Sequence, residues 1–371
     1  PPLFYRICRH PILSILSRGL GDVYKRQASI AGSTVGSDAF LKRVGIASAR
    51  SIGTFLETLK LFHCFGALAG KSIASLSCSG GEAGLMADCA KAAGLFFPKL
   101  TESQCTTLKN YLSPMVLLAN PLDYHTNNWR DKTAMTNVFA TVSGDRIDLT
   151  LIVLDFPRDD RCDPHDWMVA VEAVIEAATS TGRKFGIISS MPENMPEQVA
   201  ELLLEQGIVP LCDFDHSCAA INLAASLNPS DPTPVLLSPG PENPVVFSEA
   251  SAKAELSNAG MVVPRSVAGM YMDDLREFVF EEDDLLVLKG ENLAHKTEAG
   301  AVVLNLSSRE ELLRAAQEMP GDSFLVEEMV TGTIVELLLG VVRDPAHGFV
   351  LTIAAGGTLT ELMDDKQSLL I

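Results

Sequence analysis

The sequence predicts an α/β protein built on a parallel sheet, followed by a second domain of mixed strands and helices. Three observations carry this. Between about residues 66 and 227, apolar runs rich in β-formers alternate with helical stretches. A proline-dense segment then interrupts the chain at 228–244, and strand and helix signals resume beyond it. With 371 residues and 47% hydrophobic content, the chain is long enough for two or three domains with cores of their own.

Taken in order, Ala28-Ser-Ile-Ala-Gly-Ser33 leads into helical periodicity around Ala39 to Val44 and again from Thr54 to Phe62. Residues 28–64 read as the tail of a preceding domain. Over 65–228 the pattern runs strand Ser72 to Ser77, helix Glu82 to Ala93, strand Leu149 to Leu154 and helix His165 to Ser180. Strand Phe185 to Ser189, helix Met195 to Gln206 and strand Ile208 to Leu211 follow. Strands separated by helices of 10 to 15 residues require right-handed crossovers and a parallel sheet, a flavodoxin-like or Rossmann-like layer. Asn228-Pro-Ser-Asp-Pro-Thr-Pro234 and Ser238-Pro-Gly-Pro-Glu-Asn-Pro244 break helix and strand alike, so 229–244 is a linker. The second domain, 245–371, opens with a helix from Ser248 to Ala259 and has Gly260 placed to close it.

Composition narrows the function. The formal net charge is -18 and no Lys/Arg block stands ready to neutralise a phosphate backbone, so nucleic acid is not an expected partner. An anionic substrate must be met by local donors, helix N-termini and single lysines, against a repelling overall field. The eight cysteines lack the paired spacing of a zinc site or a disulfide framework and read as reduced thiols, mostly in the core. No run approaches the roughly 20 apolar residues of a membrane span, which makes the cytoplasm the expected compartment. Residues 1–27 are Arg-rich without a periodic apolar face, and Asp22-Val-Tyr-Lys-Arg-Gln27 resembles the translation of a transposon-end adapter used for sequencing libraries. The stretch is expected to be non-native, and the chain a fragment at both ends.

Several motifs carry chemistry. Ser79, Gly80 and Gly81, in Ser79-Gly-Gly-Glu-Ala-Gly84, follow a strand and open a helix, where backbone N–H groups and the helix dipole can meet an anion. An ordinary strand-to-helix turn would look the same. Lys289 ends an apolar strand, placed to set a compact charge on phosphates. The loop His295-Lys-Thr-Glu-Ala-Gly300 offers an imidazole competent as a phosphoryl nucleophile, with Lys296 beside it, against the alternative of a solvated hairpin. The strand from Phe324 to Val330 runs into Glu327 and Glu328, and Glu336 opens the next apolar run. At such a hinge the backbone can bond an adenine edge while a carboxylate accepts from ribose hydroxyls. Glu361 closes the turn Ala354-Ala-Gly-Gly-Thr-Leu-Thr-Glu361, within reach of a magnesium-nucleotide or, equally, at a helix N-cap. The other histidines read as structural or surface, His125 the least settled.

Taken together, Leu288-Lys289, His295 to Gly300, Leu325 to Val330, Glu336 to Asp344 and Gly356 to Glu361 resemble the ADP-forming acyl-CoA synthetases, or acetate–CoA ligases, relatives of succinyl-CoA synthetase. The resemblance covers nearly everything after Ala28. It implies a flavodoxin-like ligase domain holding Ser77-Cys-Ser-Gly-Gly81 and Asn120-Pro-Leu-Asp123, followed by an ATP-grasp domain cut short at Ile371. It further implies ATP/ADP, Mg2+, CoA and a carboxylic acid as ligands, in a homo-oligomer. In that family Lys289 resembles the phosphate-binding lysine, Glu327 the hinge acid, Glu336 the second acid near the ribose, and His295 a phosphate-relaying loop histidine. Arg26 and Gln27 stand where the family usually has His-Thr, Ala301 where it has a second glycine, and the family's acidic magnesium segment is not reached. The chain by itself is therefore expected to be inactive or nearly so. Rival readings are the ligase-like region of a protein lysine acetyltransferase and a non-catalytic nucleotide sensor.

Overall fold

Apolar runs too short for a helix and bounded by polar turns become strands buried on both faces. The computed structural model describes residues 13–15, 33–227, 233–237, 245–279, 285–291, 300–357 and 365–371. The chain divides into two units, Pro1–Leu237 with Val341–Leu351 and Ser368–Ile371, and Ser238–Gly340 with Thr352–Gln367. The division at 237/238 falls inside the proline-dense segment.

In the first unit, β1 (Leu13–Ile15) pairs in parallel with β2 (Ala47–Ala49), α1 (Thr34–Arg43) lying between them in sequence. Then come α2 (Ile52–Phe65), β3 (Ile73–Ser77), α3 (Gly80–Ala92), α4 (Glu102–Leu108) and β4 (Leu122–Asp123). They are followed by α5 (Lys132–Val142), β5 (Leu149–Val153), α6 (His165–Thr181), β6 (Phe185–Ser189), α7 (Glu197–Glu205), β7 (Val209–Cys212) and α8 (Phe214–Ala225). The sheet order is β4-β3-β5-β6-β7 and every pair is parallel. The chain leaves β3 for β4 on one side and returns to β5 on the other, so the order reverses between β3 and β5. In such sheets ligands bind beyond the carboxyl ends of the strands at this reversal.

Strand alternation divides the core in two. Ala74, Leu76, Ile152, Phe185 and Ile187 face α5, α6 and α7 through Phe139, Val142, Val171, Val174 and Leu203. Ile73, Leu149, Leu151, Ile188 and Leu211 face the other way, onto Leu61 and Phe62 of α2, Met86 of α3, and Cys218 and Ile221 of α8. Hence α2, assigned from sequence to the tail of a preceding domain, packs into this layer's own core. The cysteines are less buried than expected. Among the described ones Cys218 alone is fully buried, Cys162 is exposed, and the rest are intermediate.

The second unit holds α9 (Glu249–Asn258), β8 (Ser266–Met270), α10 (Met272–Glu277), β9 (Leu286–Gly290), β10 (Val302–Leu306), α11 (Arg309–Glu318) and β11 (Phe324–Glu328). Its antiparallel sheet has the order β10-β9-β11-β8. Leu286, Leu288, Phe324 and Val326 line one face and pack on Leu275 of α10 and Leu312, Ala315 and Ala316 of α11. A further sheet joins β12 (Leu337–Asp344), β13 (Gly348–Ala355) and β14 (Gln367–Leu370), in that order. The turn between β12 and β13 belongs to the first unit, where Asp344 accepts the Ser33 N–H at 2.7 Å and approaches His347 Nδ1 at 3.0 Å. No helix among the described residues is long and apolar enough to cross a membrane.

Candidate functional site

In the second unit, β9 and β11 align Lys289 with Leu325 and Val287 with Glu327, which makes Lys289 and Glu327 diagonal neighbours on one face. This is the face opposite the Leu286/Phe324 core. The first turn of α9 is capped by Ser248, whose Oγ accepts the Ser251 N–H at 3.1 Å, and it carries Glu249 with Lys253 one turn later. The four charges interlock. Lys289 Nζ donates to Glu249 Oε1 at 2.6 Å and to Glu327 Oε2 at 2.7 Å. Lys253 Nζ donates to Glu249 Oε1 at 2.9 Å and also to Glu327. Glu327 is 4% exposed, so two lysines compensate a carboxylate that would otherwise be buried at high cost. Burial works against the Lys289 ammonium, but hydrogen bonds and charge from Glu249 and Glu327 outweigh it and hold Lys289 above the ordinary lysine value.

Adjacent residues on a strand point to opposite faces, and Glu328 accordingly leaves this cluster and pairs with Arg265 at 2.8 Å. Val330 lies exposed beyond the end of β11, while the Met329 N–H donates to Leu285 O at 2.8 Å. Glu336 is held beside a glycine turn. The Gly356 N–H donates to Glu336 O at 2.8 Å, and Gly357, with φ +79°, leaves space that a Cβ would take from Glu336 Oε2. The structure thus brings Lys289 and Glu327 together and seats Glu336 on the Gly356–Gly357 turn. His295, Lys296 and Glu361 lie outside the described residues.

In the first unit, Ser79, Gly80 and Gly81 occupy the start of α3 beyond the carboxyl end of β3, at the reversal of strand order. Their surroundings are more acidic than the sequence motif suggested. Asp123, ending β4, accepts the His125 N–H at 3.0 Å, and a Cβ on Gly80 would stand 3.3 Å from Asp123 Oδ2. Asp155, just past β5, accepts the Ser190 N–H at 2.7 Å and its hydroxyl at 2.6 Å. Among the described residues Glu82 Oε2 and the Tyr124 hydroxyl find no hydrogen-bond partner though both are buried, and Tyr124 is only 1% exposed. Burial, then the charges of Asp155 and Asp123, push the Glu82 carboxyl above its usual range. Burial and Glu82 do the same to the Cys78 thiol. Asn120 ties the neighbouring loop to the sheet edge by donating to Ile73 O at 3.0 Å and accepting from Ser75 N–H at 3.2 Å. Among the described residues no group of three His, Cys, Asp or Glu side chains is placed to hold a metal ion.

Four residues of these clusters were missed from sequence. Glu249 and Lys253 had a signal, a Glu-x-x-x-Lys spacing on one helix, while Glu82 and Asp155 had none that separates them from surface acids.

Comparison with known proteins agrees with this architecture. Residues 246–371 match the family model of an ATP-grasp domain. The ADP-forming acetate–CoA ligase of Methanocaldococcus jannaschii is 23% identical over 395 residues, covering 96% of this chain and 55% of that protein. Trans-feruloyl-CoA synthase from an unknown prokaryotic organism is 24% identical over 378 residues, 93% of this chain and 52% of that protein. The beta subunit of the ADP-forming acetate–CoA ligase II of Pyrococcus furiosus is 25% identical over 129 residues, 32% of this chain and 55% of that protein. A solved acetyl-coenzyme A synthetase 1 of Ca. Korarchaeum cryptofilum, in complex with phosphate and ADP, is 18% identical with a TM-score of 0.49, covering 58% of this chain and 46% of that one. The chain spans about half the length of the curated relatives it matches. It is a homologue of the ADP-forming acetate–CoA ligases, with an ATP-grasp domain at residues 246–371.

Proposed function

We propose that this chain serves an ADP-forming acid–CoA ligase, which makes acyl-CoA from a carboxylic acid, CoA and ATP with Mg2+. The observation that carries the reading is the Lys289–Glu327 pair on adjacent strands of the ATP-grasp domain, a rigidly held cation beside a buried carboxylate. On this reading Lys289 meets the nucleotide phosphates, the backbone from Glu327 to Val330 meets the adenine edge, and Glu336 meets the ribose. His295 takes the γ-phosphoryl group from ATP, releasing ADP. It passes that group to the carboxylate to form an acyl phosphate, and the CoA sulfur then attacks the acyl carbon and releases phosphate.

The turn at Ser79, Gly80 and Gly81 meets a phosphoryl group. A phosphate there meets Glu82 and Asp123 as well as backbone N–H groups, and burial with the neighbouring acids holds the Glu82 carboxyl above its usual range. Cytoplasmic location and self-association into a homo-oligomer belong to the same reading, and sedimentation tests the latter. Labelled ATP and Mg2+ test the chemistry. Acid-labile label on the complete protein that carries this chain, lost in His295→Ala and in Lys289→Met, is the expected result. Undiminished label in both variants overturns the assignment.

A further inference from the structure

Lys289 has three N–H donors, and carboxylates already hold two of them, Glu327 at 2.7 Å and Glu249 at 2.6 Å. Among the described residues the cluster pairs two lysines with two glutamates, so the charge of Lys289 is already compensated before an anion arrives. A phosphate oxygen on the third donor would stand beside the Glu249 carboxylate, and like charges at that spacing repel. One carboxylate has to give way.

The two acids are not equally placed to do so. The Glu327 side chain is 5% exposed and fixed on β11 by a strand on each side, whereas that of Glu249 is 28% exposed. Glu249 sits in the first turn of α9, a helix none of whose residues is buried. Among the described residues charges, not a buried apolar face, link that turn to the sheet: Glu249 to Lys289, and Lys253 to Glu327. A helix held this way can shift without opening a cavity.

We infer that Glu249 is a built-in competitor for the phosphate position: its carboxylate holds the Lys289 ammonium and yields it to a phosphate oxygen of the incoming nucleotide, loosening the first turn of α9. The inference rests on the nucleotide role proposed for Lys289. It makes Glu249 a positioning residue that weakens and tunes nucleotide affinity, keeping the lysine aimed until a group of higher charge replaces the carboxylate.

Calorimetric titration of the 371-residue chain with ADP and Mg2+ tests it, alongside Glu249→Gln and Lys289→Met, each checked for folding by circular dichroism. Glu249→Gln is expected to bind ADP about five-fold or more tighter, and Lys289→Met to lose most binding. Hydrogen exchange on the unsubstituted protein gives an independent readout, in which amides of residues 249–258 exchange faster when ADP is added. Binding in Glu249→Gln that is unchanged or weaker, or α9 amides that are unchanged or slower with ADP, overturns the competitor role. If Lys289→Met binds ADP as well as the parent chain, or the parent binds none, the nucleotide assignment itself fails.

Discussion

Lys289 and Glu327 occupy diagonal positions on one face of the β9–β11 ladder, their charged groups 2.7 Å apart, with the apolar core of the unit on the other face. A buried carboxylate is tolerated there because two ammonium groups reach it from different elements, Lys289 from the sheet and Lys253 from α9. The pairing therefore has a structural cost if broken, apart from any ligand.

Glu327→Ala should destabilise the second unit by about 2–4 kcal/mol, since it leaves two lysines sharing Glu249 alone. Glu327→Gln should cost less, because the amide oxygen still accepts one hydrogen bond. Urea denaturation followed by circular dichroism measures both. Equal stability of Glu327→Ala and the parent would show that the ion cluster contributes nothing to folding.

Asp344 supplies a test in the first unit. Burial raises its carboxyl, but hydrogen bonds from the Ser33 hydroxyl and N–H, the Ala346 N–H and His347 outweigh this and hold it well below the usual carboxylate range. A depressed folded-state value means that the unfolded chain binds the proton more readily. The stabilisation is fully present above the unfolded value of about 4 and is lost as pH falls below it. Asp344→Asn should therefore lower stability at pH 7 by about 1–3 kcal/mol, a difference that shrinks steadily below about pH 4. A difference independent of pH between 7 and 3 contradicts the hydrogen-bonding account.

Glu82 has the opposite sign. Its folded-state value is raised, first by burial and then by Asp155 and Asp123. Ionising it in the folded protein costs stability that is absent below the unfolded value of about 4.3 and fully felt only above the folded one. Glu82→Gln should thus be near neutral at pH 4 and increasingly stabilising as pH rises toward 8. Thermal melts across that range decide it, and a benefit largest at pH 4 refutes the acidic-crevice picture.

The parallel layer was legible because strands buried on both faces read as unbroken apolar runs, and the helices between them carry one apolar stripe each. Even so, β4 is two residues long and left no pattern, and α8 hides its apolar face in small residues such as Cys218, Ala220 and Ala224. In the second unit the strand ends exposed Lys289 and Glu327 to view. Strand alternation, not composition, decides that Glu327 enters the cluster while its neighbour Glu328 turns to Arg265. Glu249 and Lys253 were harder, because a charged turn of an exposed helix looks the same whether it faces water or a second pair of charges.

Gly357 offers a way to move Glu336 without touching it. The residue has φ +79°, where an L side chain costs about 1–2 kcal/mol, and a Cβ there would collide with Glu336 Oε2. Gly269 has φ +69° with nothing near its missing Cβ, so Gly269→Ala pays the backbone strain alone. Both alanine variants should lose stability to a similar degree in denaturant. Only Gly357→Ala should displace the Glu336 carboxylate and, with the ribose role proposed for that residue, weaken ADP binding by about ten-fold, or about 1.4 kcal/mol. Titration of ADP into the two variants separates the effects, and equal affinities would remove Glu336 from the nucleotide site while leaving Lys289 in it.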